Sequence, residues 1–332
     1  MRLLKWLSLG AAVWILYWGV AAWGLRSGLD SWFTGQNQKG WQVSYGPLAT
    51  SGFPLRHVTR VAQPVLADPA TGAAWSADWI AFDSPALWPG AQTLRFPTTE
   101  QRFSVFDRTR TLVAQNMQAD LQLAPGLALE LEQLSLTSQA WQITQGSDVL
   151  WQAQDLAVVM RQQDLPTQYH LSAEALGFAP GGVFRRLSQL GNQPPQHFDA
   201  FRARAKVTFD RPWDRRAIEQ RRPQPRQIDL ELAEAIWGDM RFKATGQLQV
   251  DAQGRLTGEL ALQAENWRQI LDIAERGSLL APSSRATVER LLSLFARGSG
   301  QDEKLNTTLS LQQGQMWIGP LPVGTAPKVV LR

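Results

Sequence analysis

From Trp41 to the C-terminus the chain is a succession of short apolar runs separated by Gly, Pro, Asp and Asn, and few of the intervals could hold a helix. Parallel strands need long crossovers, so this order confines the fold to antiparallel pairing. In "LNTTLSLQQGQMWIGPLPVG" the residues Leu305, Thr307, Leu309 and Leu311 alternate with polar neighbours, which puts the leucines on one face of a strand. Gln313-Gly314 supplies a turn, Met316-Trp317-Ile318 returns, and Gly319-Pro320 and Pro322 end the ladder. "QVDAQGRLTGEL" reads as a hairpin about Asp251–Gly254.

Further strand runs include Ala73–Phe82, Leu112–Leu123, Leu127–Thr137 and Gln168–Ala175. In "LALELEQLSLT" the alternation Leu127, Leu129, Leu131 resumes one position out of phase at Leu134 and Leu136, and a bulge near Glu132-Gln133 would keep all five on one face. Trp75 and Trp79 share parity within their run. These seven residues are the expected lining of an apolar sheet face.

Helix signals are sparse. Gly182–Leu190 and Trp213–Gln220 are short candidates, and a better pair occupies 266–297. There Asn266 opens a helix with Trp267, Ile270 and Leu271 on one side, and Pro282-Ser283 opens another with Val288, Leu291, Leu292 and Phe295 in a stripe. The pair is expected to fold back over one continuous apolar surface made by Leu305, Leu309, Leu311, Leu260, Leu262, Leu248 and Val250. Two helices cannot cover every one-sided strand. The rest of the apolar face must meet another sheet, curl on itself or hold a ligand, and an open trough is expected in the central sheet, Leu112–Ala175.

The N-terminus carries Arg2 and Lys5 and then no charge from Trp6 to Leu25. Twenty residues at about 1.5 Å each cross a hydrocarbon layer of about 30 Å. The segments expected are a cytoplasmic tail 1–5, an anchor 6–25, a linker 26–40 and one β-rich periplasmic domain 41–332, because the leading positive charges hold Met1 inside. A cleavable signal with Val20-Ala21-Ala22 as its small-residue site competes with this reading, but the run is longer than a signal's apolar core and Trp23 follows the cut. The location implied is a single-pass protein of the inner membrane.

Three stretches, "SGFPLRHVTRVAQPVLADPATGAAWSADWI", "WGDMRFKATGQLQVDAQGRLTGELALQAENWRQILDIAERGSLL" and "LQQGQMWIGPLPVGTAP", resemble the landmarks of the domain-of-unknown-function family 2125 of Gram-negative envelope proteins. That family is in turn similar to AsmA-like proteins. The resemblance implies one membrane helix joined to an elongated or curved, mostly β, antiparallel structure with a role in lipid homeostasis; it supplies no catalytic residue.

Reactive chemistry finds no foothold in the sequence. There are three histidines and no cysteine, and no HExxH, GxSxG, Walker or GxGxxG pattern occurs. The expectation is a protein that is not an enzyme and has no cofactor or bound metal. Its net charge of +4 is spread among interspersed acids and bases, which argues against nucleic acid as a partner. One basic cluster stands out in "RPWDRRAIEQRRPQPR": Arg215, Arg216, Arg221 and Arg222 are either a solvated connection or a contact for anionic headgroups, whose oxygens suit guanidinium forks. Two functions therefore lead: binding or shielding of a lipid or other amphiphile, and a non-enzymatic scaffold whose edge strand recruits an envelope protein.

Overall fold

The structure, a computed structural model, describes residues 2–180, 197–276, 282–298, 304–319 and 321–331. It is mostly antiparallel β, preceded by one long apolar helix. The chain divides into two compact units, the first built from 1–123 and 136–148 and the second from 124–135 and 149–332. The β-rich region expected over 41–332 spans both units.

The N-terminal helix runs unbroken from Arg2 to Gln38. The segment 26–40 read as a linker is thus largely helical, and the reason lies in packing rather than propensity. Leu29, Trp32 and Phe33 recur at helical spacing and enter the core of the first unit around Val61 and Ile80. Tyr45 donates its hydroxyl to Asp30, and the Val43 N–H reaches Asn37 Oδ1 at 2.9 Å, so the strand that follows is tied back onto the helix. The hydrogen bond to Asp30, then burial, holds the Tyr45 phenol above its ordinary pKa.

Two ladders complete the first unit. One pairs Gln42–Ser44, Val65–Asp68, Ala73–Ser76, Gln101–Val105, Arg108–Ala114 and Trp141–Gln145 in that order. The other pairs Leu48–Ser51, Arg56–Ala62, Trp79–Pro85, Ala91–Arg95 and Gln118–Leu123. Val43, Leu66 and Trp75 from the first ladder and Leu48, Phe82 and Leu94 from the second pack on the same buried cluster, so each ladder covers the other's apolar side.

The second unit is a meander of long strands: Leu156–Gln162, Gln168–Pro180, Phe198–Phe209, Pro225–Trp237, Met240–Val250, Leu256–Glu265, Lys304–Gln312, Gln315–Ile318 and Leu321–Thr325, each paired with the next. Its turns follow the sequence signals. Gln313 and Gly314 both have positive φ, 52° and 79°, as a two-residue hairpin turn requires. Asp251 Oδ1 accepts from the N–H groups of Gln253 and Arg255 at 2.8 and 2.9 Å and closes the other expected hairpin. Gly246 and Gly258 let adjacent strands approach more closely than any side chain allows: a Cβ at either would lie 2.2 Å from a carbonyl oxygen of the neighbouring strand.

Helices Trp267–Arg276 and Pro282–Gly298 occupy the interval where the pair was expected. Asn266 at φ 57° gives its side-chain amide to the Asp239 carbonyl at 2.6 Å, tying the first helix to the Trp237–Met240 hairpin. The expected helix Gly182–Leu190 lies outside the described residues.

Candidate functional site

In the second unit register alone separates two chemistries. One row across five strands reads Phe201, Ala235, Phe242, Ala264, Leu305, and the next reads Ala203, Ala233, Ala244, Leu262, Thr307. A third reads Val207, Ile228, Leu248, Gly258, Leu311, Met316. All belong to one apolar face, and the surface expected from Leu305, Leu309, Leu311, Leu260, Leu262, Leu248 and Val250 is continuous within it.

The intervening rows carry charge. Arg202 pairs with Glu174 at 2.7 Å and Glu234 at 3.3 Å, and Arg241 and Lys243 close on Glu234 at 3.7 and 3.6 Å. Glu231 likewise joins His170 at 3.1 Å and Lys206 at 3.3 Å. Hydrogen bonds from His170 and Lys206, with their charge, overcome partial burial and hold the Glu231 carboxyl below its ordinary pKa. This face is a lattice of opposite charges suited to water, and it fixes which side of the sheet stays apolar.

The apolar face is sealed at its ends. At one, Trp237, Met240 and Ala179 are buried with Phe198, Phe242 and Ile273. Beside it Trp267, Leu271 and Ala296 of the helix pair close over Leu305 and Ala264, with Val288 and Leu292 against them. Trp267 and Leu292 therefore fold back over the sheet as expected; the side chains of Ile270, Leu291 and Phe295 lie outside the described set. At the other end Leu248, Val250, Leu256, Leu311 and Ala326 form a second packed cluster.

Between these clusters the face opens into a concavity of about 340 Å³. Ala233, Ala235, Ala244 and Ala264 form its floor, and Phe201, Phe242, Leu262, Leu292, Leu305 and Ile318 its walls. The alanines are the cause of the space, since a methyl group leaves unfilled the depth that the neighbouring phenylalanines and leucines occupy. The volume lies within the range of about 300–1,000 Å³ typical of small-molecule sites. Within Leu112–Ala175, where a trough was expected, Leu112, Leu131 and Tyr169 are buried, and burial pushes the Tyr169 phenol up to about 12.

The sequence-derived lining residues fare unequally. Leu131 is buried and begins the strand Leu131–Ser138, which also contains the half-buried Leu134 and Leu136. Leu127 and Leu129 precede that strand, in a loop where Gly126 and Leu129 have φ 129° and 51°; Leu127 is 90% exposed. That loop is fastened by the Leu131 N–H to Trp213 O at 2.7 Å and the Arg215 N–H to Ala128 O at 2.9 Å, bonds no alternation of leucines could announce. Trp75 and Trp79 lie in different strands and different ladders, because a turn at Ala77-Asp78 divides the run; Trp75 is in the first unit's core and Trp79 lies 4.3 Å beneath the Arg60 guanidinium. None of these residues lines the concavity. What sequence reading passed over were the alanines, whose parity with Phe242 and Leu262 was visible.

The four arginines also divide. Arg221 binds Asp210 at 2.7 Å, with Arg226 at 3.7 Å and Arg211 at 4.0 Å from the same carboxylate. Burial raises the Asp210 pKa, but the Gln224 N–H together with Arg221 and Arg211 outweighs it and leaves the carboxyl below its ordinary value. Arg215, Arg216 and Arg222 are exposed. The segment is thus partly a self-neutralised connection organised on Asp210.

The first unit has a cavity of its own, about 480 Å³, between the helix face Ala21, Gly24, Gly28 and the residues His57, Ser84 and Pro89.

A family model described as "Uncharacterized protein conserved in bacteria (DUF2125)" matches residues 18–327. The chain belongs to this family. The match begins inside the helix and runs through both units to Ala326-Pro327, so the concavity and its end clusters are family territory. No curated protein matches the chain.

Proposed function

We propose that the protein is a non-enzymatic, membrane-anchored envelope protein of the periplasm that holds or shields the apolar part of a lipid or comparable amphiphile in the concavity of its second unit. The observation that carries this reading is the alanine floor: an apolar sheet face packed at both ends and left open between them, opposite a face of paired charges. Each methylene buried there would contribute about 0.8 kcal/mol, so micromolar binding would take about ten of them, before the cost of association. The N-terminal helix, long and apolar enough to cross a membrane, supports anchoring, and the positive charges before it favour an exported body. The likeness to AsmA-like proteins expected for the family would point the same way, as analogy.

The scaffold reading is less well served. The last strand, Leu321–Thr325, is short and carries Pro322 and Gly324, which make a poor template for a recruited strand. Native mass spectrometry of the full chain extracted in mild detergent provides the test, with Ala233→Phe/Ala244→Phe as the variant that fills the concavity. Retained phospholipid in the parent and its loss in a folded variant are expected. Equal retention by both proteins would sink the proposal, and a co-purifying protein in place of lipid would favour the scaffold.

A further inference from the structure

The helix is held by the first unit far closer to its N-terminus than a simple tether would be. Trp14 Nε1 donates to Pro54 O at 3.1 Å, Tyr17 Oη to Ala86 O at 2.7 Å and Trp18 Nε1 to Arg56 O at 2.9 Å. Trp18 also stacks on His57 at 4.9 Å and meets Phe53 edge-on at 5.5 Å. Two loops, Gly52–Leu55 and Ala86–Gly90, thus clasp the middle of the uncharged segment Trp6–Leu25.

The rest of the helix surface at this level is not covered by protein. Val13, Ile15, Leu16, Val20 and Trp23 are exposed, and Trp23 lies about 7.5 Å farther along the axis than Trp18 at 1.5 Å per residue. If the bilayer covers that apolar surface, it extends past the clasp. The clasp is built for such surroundings. Neither loop carries a charge, and their outward side chains are apolar: Leu55 is 72% and Leu87 73% exposed, with Phe53 and Trp88 beside them. The carbonyls of Pro54, Arg56 and Ala86 accept from the helix's own tryptophan and tyrosine donors, which lowers the cost of bringing this irregular backbone into a membrane. Charge resumes immediately behind the tips, where Arg56 and Arg95 flank the buried Asp83 at 2.6 and 3.2 Å.

We infer that the loops Gly52–Leu55 and Ala86–Gly90 are inserted into the bilayer that the helix crosses, seating the first unit in the leaflet rather than suspending it below. The inference rests on the anchor reading and commits to bilayer lipid as the occupant of this surface.

The absence of cysteine makes the test clean, because one introduced thiol is a unique labelling site. Full-length Leu9→Cys, Leu55→Cys, Leu87→Cys and Val105→Cys variants carry an environment-sensitive fluorophore in phosphatidylethanolamine/phosphatidylglycerol liposomes, with and without lipid bearing a chain-attached quencher. All four positions are exposed, so the substitutions leave the fold intact. Val105 serves as the aqueous control, since Arg102, Asp107 and Arg108 surround it in sequence. Blue-shifted emission with quenching at Leu9, Leu55 and Leu87 but not Val105 is expected. Quenching at Leu9 alone overturns the seating while leaving the anchor intact. Quenching at none of them removes the anchor reading and this inference together, and equal quenching at Val105 reduces the effect to general adsorption and overturns it as well.

Discussion

In the first unit, short strands from two ladders turn their apolar sides toward each other, and Leu29, Trp32 and Phe33 of the helix fill what remains. In the second, strands of up to 13 residues present one apolar face, and packed clusters cover only its ends. The strand pattern in the sequence is similar in both. The difference comes from what lies opposite: a second ladder in one case, two helices too few in the other, with alanine where the cover is missing. A one-sided strand therefore does not by itself reveal whether its face is dry, and the size of its inward residues is the better guide.

Truncation should separate the two most strongly. Phe33→Ala removes a buried ring from a closed core and is expected to cost about 3–5 kcal/mol, read as loss of the first unit's cooperative unfolding transition in chemical denaturation. Leu311→Ala, in the packed end cluster, should cost about 2–5 kcal/mol, whereas Leu262→Ala on the concavity wall should cost less than either, because its site is already partly open. Equal losses at Leu311 and Leu262 would mean that the concavity is not a distinct feature of the face.

The close strand approach at Gly246 in the second unit offers a smaller effect. Gly246 sits at φ 152° opposite Leu260, and a Cβ there would meet Glu259 O at 2.2 Å. Gly246→Ala is expected to cost about 1–3 kcal/mol in thermal unfolding, since neither strand backbone can move aside cheaply. An unchanged midpoint would show that the strands can separate there without loss.

How much of this was legible in the chain depends on whether the signal was local. The hairpins at Asp251–Arg255 and Gln313-Gly314 were readable because their turn residues and alternation agree within a few positions. The helix pair was readable from the spacing of Trp267 and Leu271 and of Val288 and Leu292, and from Pro282 at the start of the second helix. The helix's continuation to Gln38 was not, since Gly28, Asp30 and Gly35 argue against it and only contacts with Val61 and Ile80 argue for it. Leu127 and Leu129 misled because alternation is silent about partners: Pro125 and Gly126 were the better signal. Asp78 similarly marked the turn that divides Trp75 from Trp79.

The arginine segment gives the smallest expected effect and sharpens the comparison between structure and headgroup contact. Arg221 is half exposed, so its pair with Asp210 is screened, and Arg221→Gln should cost about 1 kcal/mol or less. Arg216→Gln and Arg222→Gln should fall within about 0.5 kcal/mol of the parent. The pH dependence distinguishes the two cases. Asp210 has a folded-state pKa below its ordinary value, so its stabilisation is fully present above that ordinary value, near pH 4, and is lost as pH falls through the folded one. The stability gap between the parent and Arg221→Gln should therefore narrow in acid, while the Arg216 and Arg222 variants should track the parent throughout. Vesicle binding completes the test: if these arginines meet anionic headgroups, Arg216→Gln/Arg222→Gln should weaken binding to anionic liposomes with no change in stability at any pH, and unchanged binding leaves the segment as a connection held together by Asp210.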